Sequence, residues 1–105
     1  MVERERDVEK TLKREVKNLG GMTYKFVSPG NDGVPDRIII WPDGHVGFVE
    51  LKTTTGTLSP IQQVQIDRLR GVGCDVAVVY GKAGVYSYLQ GRLHHASFVN
   101  TGDEV

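Results

Sequence analysis

Asp36, Glu50 and Lys52 are the residues whose types and spacing point most directly to chemistry. They sit in two short segments, Gly33-Val34-Pro35-Asp36-Arg37 and Phe48-Val49-Glu50-Leu51-Lys52, separated by Trp41-Pro42-Asp43-Gly44-His45. Two carboxylates held side by side repel each other, so they need a divalent cation, a shared proton or a nearby base. Magnesium suits such a pair, because it binds oxygen ligands, commonly one or two carboxylates plus water, and leaves positions for a phosphate. A cation there polarises a phosphoryl oxygen and activates water, and a lysine alongside can orient that water or neutralise a pentavalent transition state. The reaction so described is phosphodiester hydrolysis. Three separate solvated charges are the plain alternative, and the fold decides between the two.

The elements that must position the trio are legible locally. Ile38-Ile39-Ile40-Trp41 and Val46 to Leu51 are two apolar runs, and Pro42-Asp43-Gly44 suits a three-residue hairpin loop with glycine in the left-handed position. Pairing Trp41 with His45 across that loop puts Asp36 directly opposite Glu50. Directly paired residues share a face, with Cβ atoms about 4.5–5.5 Å apart. Lys52, two residues beyond Glu50, returns to the same face. Ile39, Trp41, Val49 and Leu51 occupy the other face, while Ile40 and Phe48 share the charged one, so both faces are expected to be buried under further layers.

Around this hairpin the remaining chain divides cleanly. Val8, Leu12, Val16 and Leu19 recur at helical spacing over residues 3–19, and Gly20-Gly21 ends that helix. Residues 22–27 read as a strand, followed by the turn-rich Ser28 to Gly33. Ser59-Pro60-Ile61-Gln62 opens a second helix with a serine N-cap, proline at its first position and glutamine at its third. Asp75 to Tyr80 is strongly strand-like, and Gly84 to Leu89 is expected to be a following edge strand. The fold class is therefore α/β, in the order α-β-β-β-α-β(-β). Residues 1–105 form a single domain with a core over about residues 4–90 and a tail from about residue 99 that frays.

Composition sets limits on function. The 105 residues are 39% hydrophobic and 25% charged, with 13 basic and 13 acidic residues, so bulk charge gives no argument for nucleic-acid binding. Any such surface must be local. No apolar run approaches the roughly 20 residues of a membrane span, and the charged start lacks the core of a secretory signal, so a cytoplasmic protein is expected. Cys74 is alone, which rules out an internal disulfide. The loop before Asp36 lacks the Lys-Ser/Thr of a nucleotide-binding P-loop, so no nucleotide cofactor is expected. His45 and the pair His94-His95 stand at no spacing recognisable as a ligand or base arrangement, so a non-catalytic role is expected for them. Arg37, Lys25 and the first-helix lysines are open to two readings, phosphate contacts or solvated charge.

Pro35-Asp36 followed by Glu50-Leu51-Lys52 resembles the signature of the PD-(D/E)XK nuclease superfamily, whose restriction-endonuclease-like core is a mixed sheet between helices. Lys25 to Gly30, Gly33 to Arg37, Val49 to Lys52 and Ser59 to Gln62 resemble its VRR-NUC branch, which includes compact stand-alone phage proteins. The resemblance spans roughly residues 4–82. It implies a Mg2+- or Mn2+-dependent DNA endonuclease, with branched DNA such as a Holliday junction as substrate and a homodimer as the active form. Within it, Asp36 and Glu50 match the metal ligands, the Leu51 carbonyl a third ligand, and Lys52 the catalytic lysine. Gln62 matches a second-helix glutamine that contacts the site, although a Ser59–Gln62 capping box explains both residues without catalysis. Gln63 should point away. The family's first-helix acidic residue is best matched by Glu5, reaching the metal through water. Glu5 lies near the centre of the Val8-Leu12-Val16 stripe, whereas Glu9 lies on its flank, where an exposed pair with Lys13 accounts for it. A sequence-specific restriction-type nuclease and a non-hydrolytic DNA-binding module of a repair or recombination complex are the competing functions.

Overall fold

The computed structural model describes residues 3–103, with side chains as far as Arg92. Along the chain run α1 (Glu5–Asn18), β1 (Met22–Lys25), β2 (Arg37–Ile40), β3 (Val46–Lys52), α2 (Pro60–Gly71), β4 (Asp75–Tyr80) and α3 (Gly81–Asp103). The strands make one mixed sheet in the order β1-β2-β3-β4. β2 runs antiparallel to both of its neighbours, β1 and β3, and β4 joins β3 in parallel after the α2 crossover.

The hairpin has the register its turn chemistry dictates. Arg37 pairs with Val49, Ile38 with Phe48, Ile39 with Gly47 and Ile40 with Val46. Trp41 N–H donates to the His45 carbonyl at 2.9 Å and Gly44 N–H to the Trp41 carbonyl at 2.8 Å, which closes the loop.

One face of the sheet is thoroughly dry. Ile39, Trp41, Val49, Leu51 and Val79 pack there against Val8, Leu12 and Val16 of α1 and against Val85 and Leu89 of α3. The other face departs from the expectation of equal burial. α2 covers the β4 side, where Ile66 and Val76 are buried, but it contributes only that one buried residue. Over β1 and β2 the same face leaves Met22 and Tyr24 exposed and Ile38 and Ile40 half-buried. A helix of 12 residues is too short and too narrow an apolar layer to roof four strands.

The segment expected as a last edge strand is instead the start of α3, which comes directly after β4. Valine and tyrosine favour strands in isolation, but Val85 and Leu89 are one helical turn apart and both enter the core. Tyr88, on the same helical side, meets the Trp41 ring at 6.5 Å between centroids. Tertiary packing therefore overrides propensity in this segment. The His94-His95 pair and the expected fraying from about residue 99 lie outside the described side chains.

Candidate active site

Each member of the trio is held by a different local device. Asp36 sits one residue before β2, after the buried Pro35, and its carbonyl accepts the Phe26 N–H at 2.8 Å, so the strand-like pairing continues through it. Its Oδ2 accepts the Leu51 N–H at 2.9 Å. That bond lashes the Asp36 carboxylate to the backbone between Glu50 and Lys52. Glu50, on β3, is 1% exposed, and Lys52 Nζ lies 3.5 Å from its Oε2. The three residues thus form one cluster at one end of the hairpin.

Gln62 completes it from above. Its side-chain oxygen accepts the Ser59 N–H at 2.9 Å, and Ser59 Oγ accepts the Gln62 N–H at 3.3 Å, which is the capping box. The same side chain's Nε2 donates to Glu50 Oε2 at 3.1 Å. Capping and site contact, weighed in the sequence as alternatives, are two ends of one amide. Gln63 is exposed, as expected, and donates to Asp67 at 2.9 Å along its own helix.

The loop bearing Asp36 is fitted to α2. Gly33 has φ +87°, and a Cβ on it would lie 2.9 Å from the Ile61 carbonyl atoms and 3.0 Å from the Gln62 nitrogen. Only glycine lets the loop backbone come this close to the helix's first turn. Gln65 Nε2 adds a bond of 3.2 Å to the Asp32 carbonyl. Asp36 and Gln62 are therefore set relative to one another by backbone contact.

The electrostatics reflect burial. Withdrawal from water and, after it, the Asp36 charge push the Glu50 carboxyl up to about 7, with Lys52 offsetting part of the rise. Glu50 Oε2 has both Lys52 and Gln62, whereas Oε1 is buried with no hydrogen-bond partner. A buried acceptor without a donor, beside a second carboxylate, is an oxygen donor set of the kind a hard divalent cation takes.

The first-helix acids fall elsewhere than expected. Glu5 is exposed as the first residue of α1: its angle on the helix matches the stripe, but the buried part of that stripe begins only at Val8. Glu9 does not pair with Lys13. Its Oε2 lies 3.8 Å from an Arg37 guanidinium nitrogen, and Arg37 is 5% exposed with its Nε donating to Thr23 Oγ1 at 3.2 Å. Arg37 is thus a buried tie between α1, β1 and β2, next to Asp36, and not a solvated charge. Among the described residues no group of three His, Cys, Asp or Glu side chains converges, so neither acid stands beside Asp36 and Glu50 as a third carboxylate ligand. Alternation along β2 could have flagged Arg37, since it shares the face of Ile39 and Trp41. His45, at the opposite end of β3, sits 2.7 Å from Asp75.

Comparison with known proteins identifies the family and the fold. Residues 4–83 match the VRR-NUC domain. A relative from Acyrthosiphon pisum secondary endosymbiont phage 1, named "Putative nuclease p44", is 45% identical over 76 residues, which are 72% of this chain and 82% of that protein. A solved structure described as a VRR_NUC domain superposes with a TM-score of 0.79 at 31% identity, covering 85% of this chain and 97% of the other. With its mixed sheet, flanking helices and match over most of its length, the chain belongs to the VRR-NUC nuclease family.

Proposed function

We propose that this nuclease domain is a Mg2+- or Mn2+-dependent endonuclease that cuts branched DNA, such as a Holliday junction, as a homodimer. The observation that carries the metal-dependent reading is the buried, unpartnered Oε1 of Glu50 next to Asp36, with Lys52 against the other oxygen. Asp36, Glu50 and the Leu51 carbonyl would hold the cation, with Glu5, exposed at the start of α1, outside that set. When bound, the cation supplies Lewis-acid activation of a phosphoryl oxygen and a more acidic water.

The chain's own groups do the rest. The Leu51 N–H orients the Asp36 carboxylate. Gln62 and Lys52 hold Glu50 Oε2, which keeps the side chain in one rotamer with Oε1 turned away from them. Lys52 carries positive charge to the place where a phosphoryl group gains negative charge, and prepositioned charge of this kind acts without reorganisation during the reaction. The phage relative fits action on DNA in a host cytoplasm.

A panel of end-labelled four-way junction, flap, single-stranded and linear duplex DNA, each with Mg2+, Mn2+ or chelator, tests this reading. Metal-dependent cutting of the branched forms is expected. Site-specific cutting of linear duplex would favour a restriction-type enzyme, and junction binding with no cutting would favour a binding module. A two-fold dimer would supply one active site for each of two symmetry-related strands, and sedimentation showing only monomer at assay concentrations would contradict it.

A further inference from the structure

We propose that Glu3 is a positioning residue for Lys52. This rests on the reading of Lys52 as catalytic. Glu3 precedes α1, yet its carboxylate joins two segments far away in the chain. Oε1 accepts both the Thr54 N–H at 3.0 Å and the Thr54 hydroxyl at 2.8 Å, and Oε2 accepts the Lys82 N–H at 3.1 Å. These bonds, the Lys82 N–H foremost, hold the Glu3 carboxyl below the usual carboxylate range.

The junction is built to close tolerances. Gly81, buried and with φ +68°, would place a Cβ 2.9 Å from Glu3 Oε1 and against Thr54 Oγ1. A side chain at residue 81 would therefore evict Glu3. On its other side, the Thr54 loop is a turn closed by Gly56 N–H to the Thr53 carbonyl at 3.0 Å. That turn folds back on the catalytic strand, because a Cβ on Gly56 would lie 3.3 Å from Lys52 Cβ. The path runs from Glu3 through its bonds to Thr54 and along the backbone of the turn, which starts at Thr53, to the adjoining Lys52, whose Nζ reaches Glu50. β3 ends at Lys52, so strand pairing does not restrain the turn beyond it. The Glu3 carboxylate supplies that restraint.

The test compares wild type with Glu3→Ala, Glu3→Gln, Thr54→Val and the Glu3→Ala/Thr54→Val double variant. Single-turnover cleavage, DNA and metal affinities, and amide exchange at Thr54 and Lys82 are measured for each. Small misplacements of a catalytic group lower turnover steeply, so Glu3→Ala should cut about tenfold more slowly per folded molecule, with DNA and metal affinities unchanged. The Thr54 and Lys82 amides should lose protection. Glu3→Gln, which keeps one acceptor, should fall between, and Thr54→Val should add little on the Glu3→Ala background. Gly81→Ala should reproduce the slow phenotype by a separate route. Wild-type turnover in Glu3→Ala, or a loss confined to DNA affinity, would overturn the proposal while leaving the active site standing. A wild type that cuts no DNA would instead remove the reading of Lys52 on which it depends.

Discussion

At the scale of single residues, Glu50 is the group most exposed to test. Its carboxyl is pushed up to about 7 by burial and by Asp36, against an ordinary 4.5. In the metal-free protein the unfolded chain therefore releases this proton first as pH rises. The stability that this group contributes should be greatest below about 4.5, fall as pH climbs toward 7, and level off above it. Glu50→Gln, which is neutral and nearly the same shape, should lack this component. Melting temperatures in chelator from pH 4.5 to 8 should show the two proteins diverging, with the variant the more stable at the alkaline end. Parallel curves would contradict the raised carboxyl. Added Mg2+ should stabilise wild type at pH 8 and leave Glu50→Gln nearly unmoved, because a ligand that binds only the folded state raises stability by mass action.

At the scale of elements, the hairpin was readable because its information is local: Pro42, Asp43 and Gly44 choose the turn, the turn sets the register, and the register puts Asp36 beside Glu50. α3 was not readable in that way, because alternating Val85, Ser87 and Leu89 also satisfy a strand. The helix is selected by the space beside α1 on the same face of the sheet, which Val85 and Leu89 fill. Gln62 shows a third case. Its cap was legible, but the contact to Glu50 depends on where α2 docks. Gln62→Ala should lose the Ser59 N–H bond of the capping box and the contact to Glu50, while Ser59 Oγ keeps the residue 62 N–H, at a cost of about 1 kcal/mol. Gln62→Glu retains the capping box but brings a carboxylate against Glu50, so it should still fold, with some stability lost to that repulsion, and cut poorly. Equal activity of Gln62→Glu and wild type, measured by single-turnover cleavage, would reduce Gln62 to a cap. Gly33→Ala strains a positive φ by about 1–2 kcal/mol. It also pushes on the first turn of α2, so it should lower both melting temperature and cleavage. Normal cleavage in that variant would mean the loop need not touch the helix.

At the scale of the whole molecule, a chain with 13 basic and 13 acidic residues has no net field to steer DNA, so substrate binding must come from local groups at the site end. Four contacts found at that end were invisible in the sequence: Glu3 with Thr54, Glu3 with Lys82, Glu9 with Arg37, and Arg37 with Thr23. Their partners lie 51, 79 and 14 residues away where hydrogen bonds are made, and no periodicity links residues so separated. Glu5 marks the same limit from the other side, since a helical wheel gives an angle but not how far along the helix the packed layer extends.

The central claim is that Asp36, Glu50 and Lys52 are one hydrolytic site. The most direct measurement is single-turnover cleavage of a labelled four-way junction in Mg2+ by wild type, Asp36→Ala and Lys52→Ala, each confirmed folded by circular dichroism. Cleavage by wild type should stop in chelator and should fall at least about a hundredfold in either variant, the scale expected when a group that stabilises transition-state charge is removed. Undiminished cleavage by either folded variant would contradict the claim.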